Sequence, residues 1–449
     1  MCIRDSTEGD TSPQNVQLIG GDTLFYLDGG GTIARIGLDG SNKDPVPFTA
    51  RYVVDLAVER GVVFDEAWSA LDEHFYDPDF HGVEWDAIHD LYRPWAVNAS
   101  SSADFADVVN LMLGELNASH MGYYPHGRGA STGGDQTGWI GAVYDPAAGG
   151  PGLLISEVLP DSPAAEVEVG LTAGERLLAV KGRDIDETTN IYDLFVDTVG
   201  DRVPATVQAA DGARRTVVLR PTSYGAQRQL RYEEWVRQRR RLVEEWSDGR
   251  LGYLHIQGMS APSFERFERD LFAAADGKEG LIIDVRSNGG GWTTDYLMAV
   301  LMVQRHAYTL PRGGDPSVRS YPTAERLLAG AFTRPAAALC NEDSYSNAEI
   351  FSWAFQTLER GPLVGSPTFG AVISTGGMQL IDGGLVRLPG RGWFVATRGV
   401  NMENNGAQPD VVVWQPPAED SSATEDTQLA KAVEVRLDNI EEDPRYGAW

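Results

Sequence analysis

The chain has 449 residues, 42% hydrophobic and 23% charged, the balance of an ordinary globular protein with about three domains at roughly 150 residues each. Its formal charge of −28 argues against nucleic acid and anionic membranes as partners, and without an apolar run of about 18 residues no membrane-spanning helix is predicted. Two cysteines, Cys2 and Cys340, supply neither a disulfide framework nor a metal-ligand spacing, so no metal and no cofactor are expected.

The opening "MCIRDSTEGD" lacks the apolar core of a signal peptide. "VQLIGGDTLFYLDGGGTIARIGLDG" (16–40) alternates short apolar runs with Gly/Asp turns, which predicts hairpins. Hairpins alone are marginal, so they are expected to close a larger β domain whose beginning is missing. Residues 61–116 are predicted helical: Phe64, Trp68, Leu71 and Phe75 line one face, and Phe105, Val109, Met112 and Leu116 another, after a cap at Ser101 or Ser102. "YPHGRGASTGGDQTG" (124–138) reads as a linker. From Trp139 to about Arg220 the pattern is short strands with a helix-like piece at 191–198, followed by an Arg-rich helix at 223–246. Residues 251–414 alternate strands ("LGYLHI", "GLIIDV", "AAALC") with helices ("SFERFERDLFAAA", "DYLMAVLMV", "NAEIFSWAFQTLE"), the signature of an α/β fold with a largely parallel sheet. A polar linker and a last helix follow at 417–437.

Within "NEDSYSNAEIFSWAF" (341–355), Ser346 stands between an apolar strand and a helix whose face carries Ile350, Ala354 and Leu358. A serine there is either a helix cap or a nucleophile at a helix mouth. Asn288-Gly289-Gly290-Gly291 follows a buried strand and opens a helix, where backbone N–H groups can converge on an anion; no Gly-Lys-Ser/Thr follows, which speaks against a phosphate loop. His120 in "NASHMGYY" and Glu403 in "NMENNGAQPDVVVW" read, each alone, as a surface histidine and a solvated loop carboxylate.

Taken in order, these features resemble the tricorn protease family and its relatives, the C-terminal processing peptidases, from about Asp55 to Trp414. "FDEAWSALDEHFYDPDFHGVEWDAIHDLYRPW" (64–95) is similar to the family's helical subdomain. "PGLLISEVLPDSPAAEVEVGLTAGERLLAVKGRDI" (151–185) is similar to a PDZ domain. The resemblance implies an α/β multidomain chain: a β-propeller remnant at 1–52, a helical subdomain at 53–135, a PDZ-like domain at 136–222, and a crotonase-like α/β catalytic domain at 223–449. It implies Ser346, three residues before Glu349, as nucleophile rather than Ser344. His120 becomes the general base, Glu403 its acid partner and Ser119 the bridge between them. Backbone N–H groups of Gly289, Gly290 and Asn347 would form the oxyanion hole, and Gly152-Leu153-Leu154-Ile155 a carboxylate-binding loop for peptides. A carboxylate partner should nudge the pKa of His120 up, with activity rising through about pH 6 to 7.5. Further implications are oligopeptide substrates, a homohexamer and a cytoplasmic location, with periplasmic or secreted as the alternative. In tricorn a neighbouring subunit supplies an Asp to the specificity pocket; its counterpart would lie in a span that includes 310–330. Two other readings stand beside this one. A Ser–Lys processing peptidase would need a lysine 25 residues after the nucleophile, where Ala371 stands. The third is an inactive, PDZ-bearing peptide-binding scaffold.

Overall fold

The computed structural model describes residues 13–29, 31–49, 53–126, 136–303, 307–308, 312–315, 325–326, 332–420 and 422–443. Most of the expected linker at 124–138 and most of the 310–330 span lie outside the described residues, as does Cys2. Two compact units are present, Met1–Glu59 and Arg60–Trp449. The first is an antiparallel meander of β1 (Gln14–Ile19), β2 (Thr23–Leu27), β3 (Ile33–Gly37) and β4 (Asp44–Pro45). Gly20 and Gly21, both at positive φ, make the first turn, and Tyr26, Ala34 and Ile36 are its small core.

In the second unit, α1 (Leu56–His74), α2 (Trp85–Val97) and α3 (Ser102–Gly114) bury the expected faces, with Phe64, Leu71, Phe105, Val109 and Met112 in one cluster. Of the two candidate caps, Ser101 is the one used: its hydroxyl accepts the Asp104 N–H at 3.1 Å. After α3 the chain turns through Ser119 and His120 into β5 (Gly122–Tyr124).

Residues 136–222 form an antiparallel β module of β6 (Ala142–Asp145), β7 (Leu153–Val158), β8 (Arg176–Val180), β9 (Arg183–Asp184), β10 (Val203–Gln208) and β11 (Arg214–Leu219). Its sheet order is β11-β10-β8-β7-β6, with β9 beside β8. The helix-like piece expected at 191–198 is only a 3-10 turn, Ile191–Phe195.

The remainder contains α4 (Tyr224–Trp246), β12 (Leu251–His255), α5 (Ala261–Ala275), β13 (Gly280–Asp284), α6 (Thr294–Leu301), the two-residue pair β14 (Ala307–Tyr308) and β15 (Glu325–Arg326), β16 (Ala336–Cys340), α7 (Asn347–Thr357), β17 (Leu363–Gly365), β18 (Ile373–Gln379), β19 (Leu385–Gly392), β20 (Val411–Val412) and α8 (Thr427–Asp438). Strands β12-β13-β16-β17-β20 make a parallel sheet covered on both faces, which is why they read as unbroken apolar runs. Alternate residues divide between the faces. Tyr253, Ile282, Ala337 and Leu339 meet Leu242, Val243, Leu429 and Val433 of α4 and α8, while Leu254, Ile283, Ala338 and Cys340 meet Phe267, Leu271, Leu297 and Phe351 of α5 to α7.

One connection was invisible in the sequence. The hairpin β18–β19 leaves the parallel sheet and adds β5 as a third antiparallel strand, Val386 opposite Tyr123. Val386 and Leu388 pack in the helical cluster. The segment after α3 is thereby fastened to residues far along the chain.

Candidate active site

The carboxyl ends of β13 and β16 carry the glycine loop and the turn into α7, the place where open parallel sheets present their chemistry. In that turn Ser344 is fully buried. Its hydroxyl donates to Val285 O at 2.9 Å and accepts the Asn341 N–H at 3.0 Å, so it is occupied in holding the turn. Ser346 is different. Its backbone has φ 56° and ψ −118°, a costly conformation for a residue with a Cβ. Glu349 Oε1 accepts its N–H at 3.0 Å. The Ser346 hydroxyl lies 2.9 Å from His120 Nε2.

His120, also at positive φ (60°), is held on its other side. Its Nδ1 is 2.7 Å from Ser119 Oγ, which donates to Glu403 Oε2 at 3.0 Å. Ser119 N–H donates to Glu403 Oε1 at 2.6 Å, and Val372 N–H to Oε2 at 2.7 Å. Because the Ser119 hydroxyl proton goes to Glu403, its oxygen accepts from Nδ1–H, and Nε2 is left as the acceptor facing Ser346. Glu403 is buried at 2% exposure rather than solvated as a lone loop carboxylate would be. The Tyr345 ring stacks on His120 at 5.0 Å and 27°, fixing the imidazole plane.

The glycine loop lies against the serine. A Cβ on Gly290, which has φ 87°, would stand 2.7 Å from Ser346 Cβ and 2.8 Å from Asn347 N. The Gly290 carbonyl accepts Met259 N–H at 2.9 Å, and its N–H donates to Asn288 Oδ1, also at 2.9 Å. That engagement removes Gly290 from the expected set of oxyanion donors. The N–H groups of Gly289 and Asn347 have no intramolecular acceptor among the described residues. The Asn347 side chain points away and accepts Thr294 N–H at 3.0 Å, joining the starts of α6 and α7.

Burial pushes the His120 pKa down, and the Arg387 guanidinium on β19 adds to the depression. The expected upward nudge is overturned: the carboxylate acts through an intervening hydroxyl, whereas the desolvation is direct. Burial also raises the Tyr345 phenol and the Glu349 carboxyl, the latter against four hydrogen-bond donors.

The loop assigned to peptide carboxylates does not offer free donors. Gly152 N–H goes to Ile185 O at 3.2 Å and Ile155 N–H to Glu175 O at 2.8 Å. Leu153 and Leu154 pair with β8, while Leu154 and Ile155 pair with β6. β7 is therefore interior, and β6, beside it, is one of the two edge strands, β11 being the other. Where a Ser–Lys dyad would need its lysine, the Ala371 N–H donates to Glu349 at 2.8 Å, and no lysine occurs between Ser346 and Glu403.

Sequence reasoning missed Arg387, Tyr345 and a buried charge cluster behind the glycine loop. There Arg286 bonds Asp284 at 2.7 Å and Asp426, the cap of α8, at 2.9 Å, and Arg239 bonds Asp426 at 3.0 Å. "DVR" ending a buried strand was the available signal, since unpaired charges do not stay in a core. Among the described residues no cluster suited to a metal ion occurs, and no helix is long and apolar enough to cross a membrane.

A family model described as peptidase family S41 matches residues 250–413, and one described as the tricorn protease C1 domain matches residues 57–114. The chain is 34% identical to tricorn protease homolog 1 of Streptomyces coelicolor, over 97% of this chain and 42% of that protein. It is 28% identical to the tricorn protease of Thermoplasma acidophilum, over 84% of this chain and 35% of that one. A crystal structure of the tricorn protease has the same fold, with a TM-score of 0.78 at 23% identity, covering 96% of this chain and 42% of the other. The chain thus spans less than half the length of these relatives. Similarity to the chloroplastic C-terminal processing peptidase of Tetradesmus obliquus is weaker, 22% identity over 78% of this chain and 76% of that one.

Proposed function

The chain belongs to the tricorn group of peptidase family S41, and we propose that it hydrolyses oligopeptides through an acyl-enzyme on Ser346. The observation that carries this reading is the continuous contact from Ser346 Oγ to His120 Nε2 and from His120 Nδ1 through Ser119 to Glu403. As Ser346 Oγ attacks the peptide carbonyl, its proton passes to Nε2, and the imidazolium is stabilised through the Ser119 hydroxyl by Glu403. The oxyanion is received by the N–H groups of Gly289 and Asn347, aided by the dipole at the start of α7. Cleavage of the C–N bond takes the proton from Nε2 to the leaving amine. Water then repeats the sequence on the ester and frees Ser346.

The module at 136–222 is read as PDZ-like, the parallel-sheet domain as crotonase-like and the β1–β4 meander as a propeller remnant. A peptide strand adding to the module would use an edge strand, β6 or β11, because β7 has partners on both sides. An active-site phosphonate tests the catalytic reading. Mass spectrometry should locate the adduct on Ser346; an unlabelled wild-type protein would favour the scaffold.

A further inference from the structure

Glu349 is fully buried and makes no ion pair among the described residues, yet its carboxylate is saturated with donors. Oε1 accepts the N–H groups of Ser346 (3.0 Å) and Ala371 (2.8 Å); Oε2 accepts Thr368 Oγ1 (2.6 Å) and the Gly370 N–H (2.5 Å). Four donors fill the acceptor sites of one carboxylate. The next N–H along the same segment, Val372, donates to the other buried carboxylate of the site, Glu403. Consecutive residues of one strap thus hold the acid behind the nucleophile and the acid behind the base. The strap is itself pinned: Asn404 N–H, next to Glu403, donates to Gly370 O at 2.8 Å, and Thr368 exchanges bonds with Ala407.

Ser346 needs such a clamp. Its left-handed backbone is unfavourable for a side chain with a Cβ and persists only where surrounding bonds over-determine it. Its Oγ faces His120, and its backbone N–H is taken by Glu349, the N3 residue of a capping box at the start of α7, so the serine is held by its backbone.

Resting on the catalytic reading above, we propose that Glu349 is a positioning residue for catalysis. It sets Ser346 in its strained conformation and, through residues 368–372, keeps the nucleophile in register with the Ser119–Glu403 relay. The role goes beyond helix capping, because removal of the clamp should lower the rate of the serine that remains, rather than only the amount of folded enzyme.

The test is turnover per titratable serine in Glu349→Ala and Glu349→Gln, with phosphonate titration counting the active sites. Loss of the clamp should lower kcat per titrated serine by about 10²-fold in the alanine variant, with KM within about threefold. The glutamine variant keeps one acceptor oxygen and should recover part of kcat, remaining about tenfold below wild type. Should the alanine variant fail to fold, the glutamine variant decides alone. Folded Glu349→Gln with wild-type kcat per titrated serine would overturn the proposal, because the residue would then act on stability only. A wild-type protein that takes no label at Ser346 would instead remove the catalytic reading, and this proposal with it.

Discussion

Ser119 grips Glu403 with two separate donors, its backbone N–H at 2.6 Å and its hydroxyl at 3.0 Å. The two bonds have different consequences when the side chain is lost. In Ser119→Ala the N–H still holds the carboxylate, and Val372 holds it from a second side, so the loop stays in place. His120 Nδ1 loses its short contact to the Ser119 hydroxyl and keeps only the longer one, 3.4 Å, to the Tyr345 hydroxyl. Activity of Ser119→Ala should fall by about 10- to 10²-fold, because a water can occupy the hydroxyl position. Glu403→Gln should cost more, up to about 10⁴-fold, because the imidazolium then faces no charge. Steady-state kinetics of the two variants should place Ser119→Ala between wild type and Glu403→Gln; the reverse order would show that the hydroxyl does more than relay.

The pH profile carries a sign that follows from burial. His120 must be neutral to accept the Ser346 proton, and its pKa is pushed down by desolvation and then by Arg387. The acid limb of kcat/KM should therefore lie below the ordinary histidine value of about 6.5. Arg387→Gln removes one of the two depressing influences, so the limb should move toward higher pH while the plateau stays similar. A limb that moves to lower pH, or does not move, would contradict the electrostatic account.

The two serines of the turn separate chemistry from structure. Ser346→Ala should lower turnover by about 10³-fold or more, leaving only binding and oxyanion effects. Ser344→Ala should stay active but lose about 1–2 kcal/mol of stability, because it leaves the buried Val285 carbonyl and Asn341 N–H without their partner. Turnover paired with denaturant unfolding reads both effects.

The charge cluster behind the glycine loop predicts a stability effect remote from the reacting atoms. Asp426→Ala leaves Arg239 and part of Arg286 buried without a counter-charge. The expected cost is about 3–5 kcal/mol, visible as a large drop in the unfolding midpoint. A variant as stable as wild type would mean that solvent reaches these guanidinium groups.

How much of this was legible in the sequence differs from residue to residue. The parallel sheet announced itself because strands covered on both faces must be continuously apolar, as "GLIID" and "AAALC" are. Ser346, His120, Ser119 and Glu403 were not legible from local pattern: a serine before a helix and a histidine after one are usually caps or surface groups, and only their order along the chain pointed to a shared site. That 152–155 lies on a strand paired on both sides was not legible, because strand pairing is non-local. Arg387 was out of reach for the same reason, since only the β5–β19 register brings it toward His120. Gly290 was counted as an oxyanion donor because the sequence cannot tell where Asn288 Oδ1 turns.

The central claim is that His120 is the base for Ser346, and turnover of a folded His120→Ala variant tests it most directly. The 2.9 Å contact predicts a loss of about 10³-fold or more in kcat/KM and an equally slowed reaction of Ser346 with the phosphonate, while the unfolding midpoint remains close to wild type. Near-wild-type turnover by that folded variant, with an acid limb set by a lysine, would contradict the account.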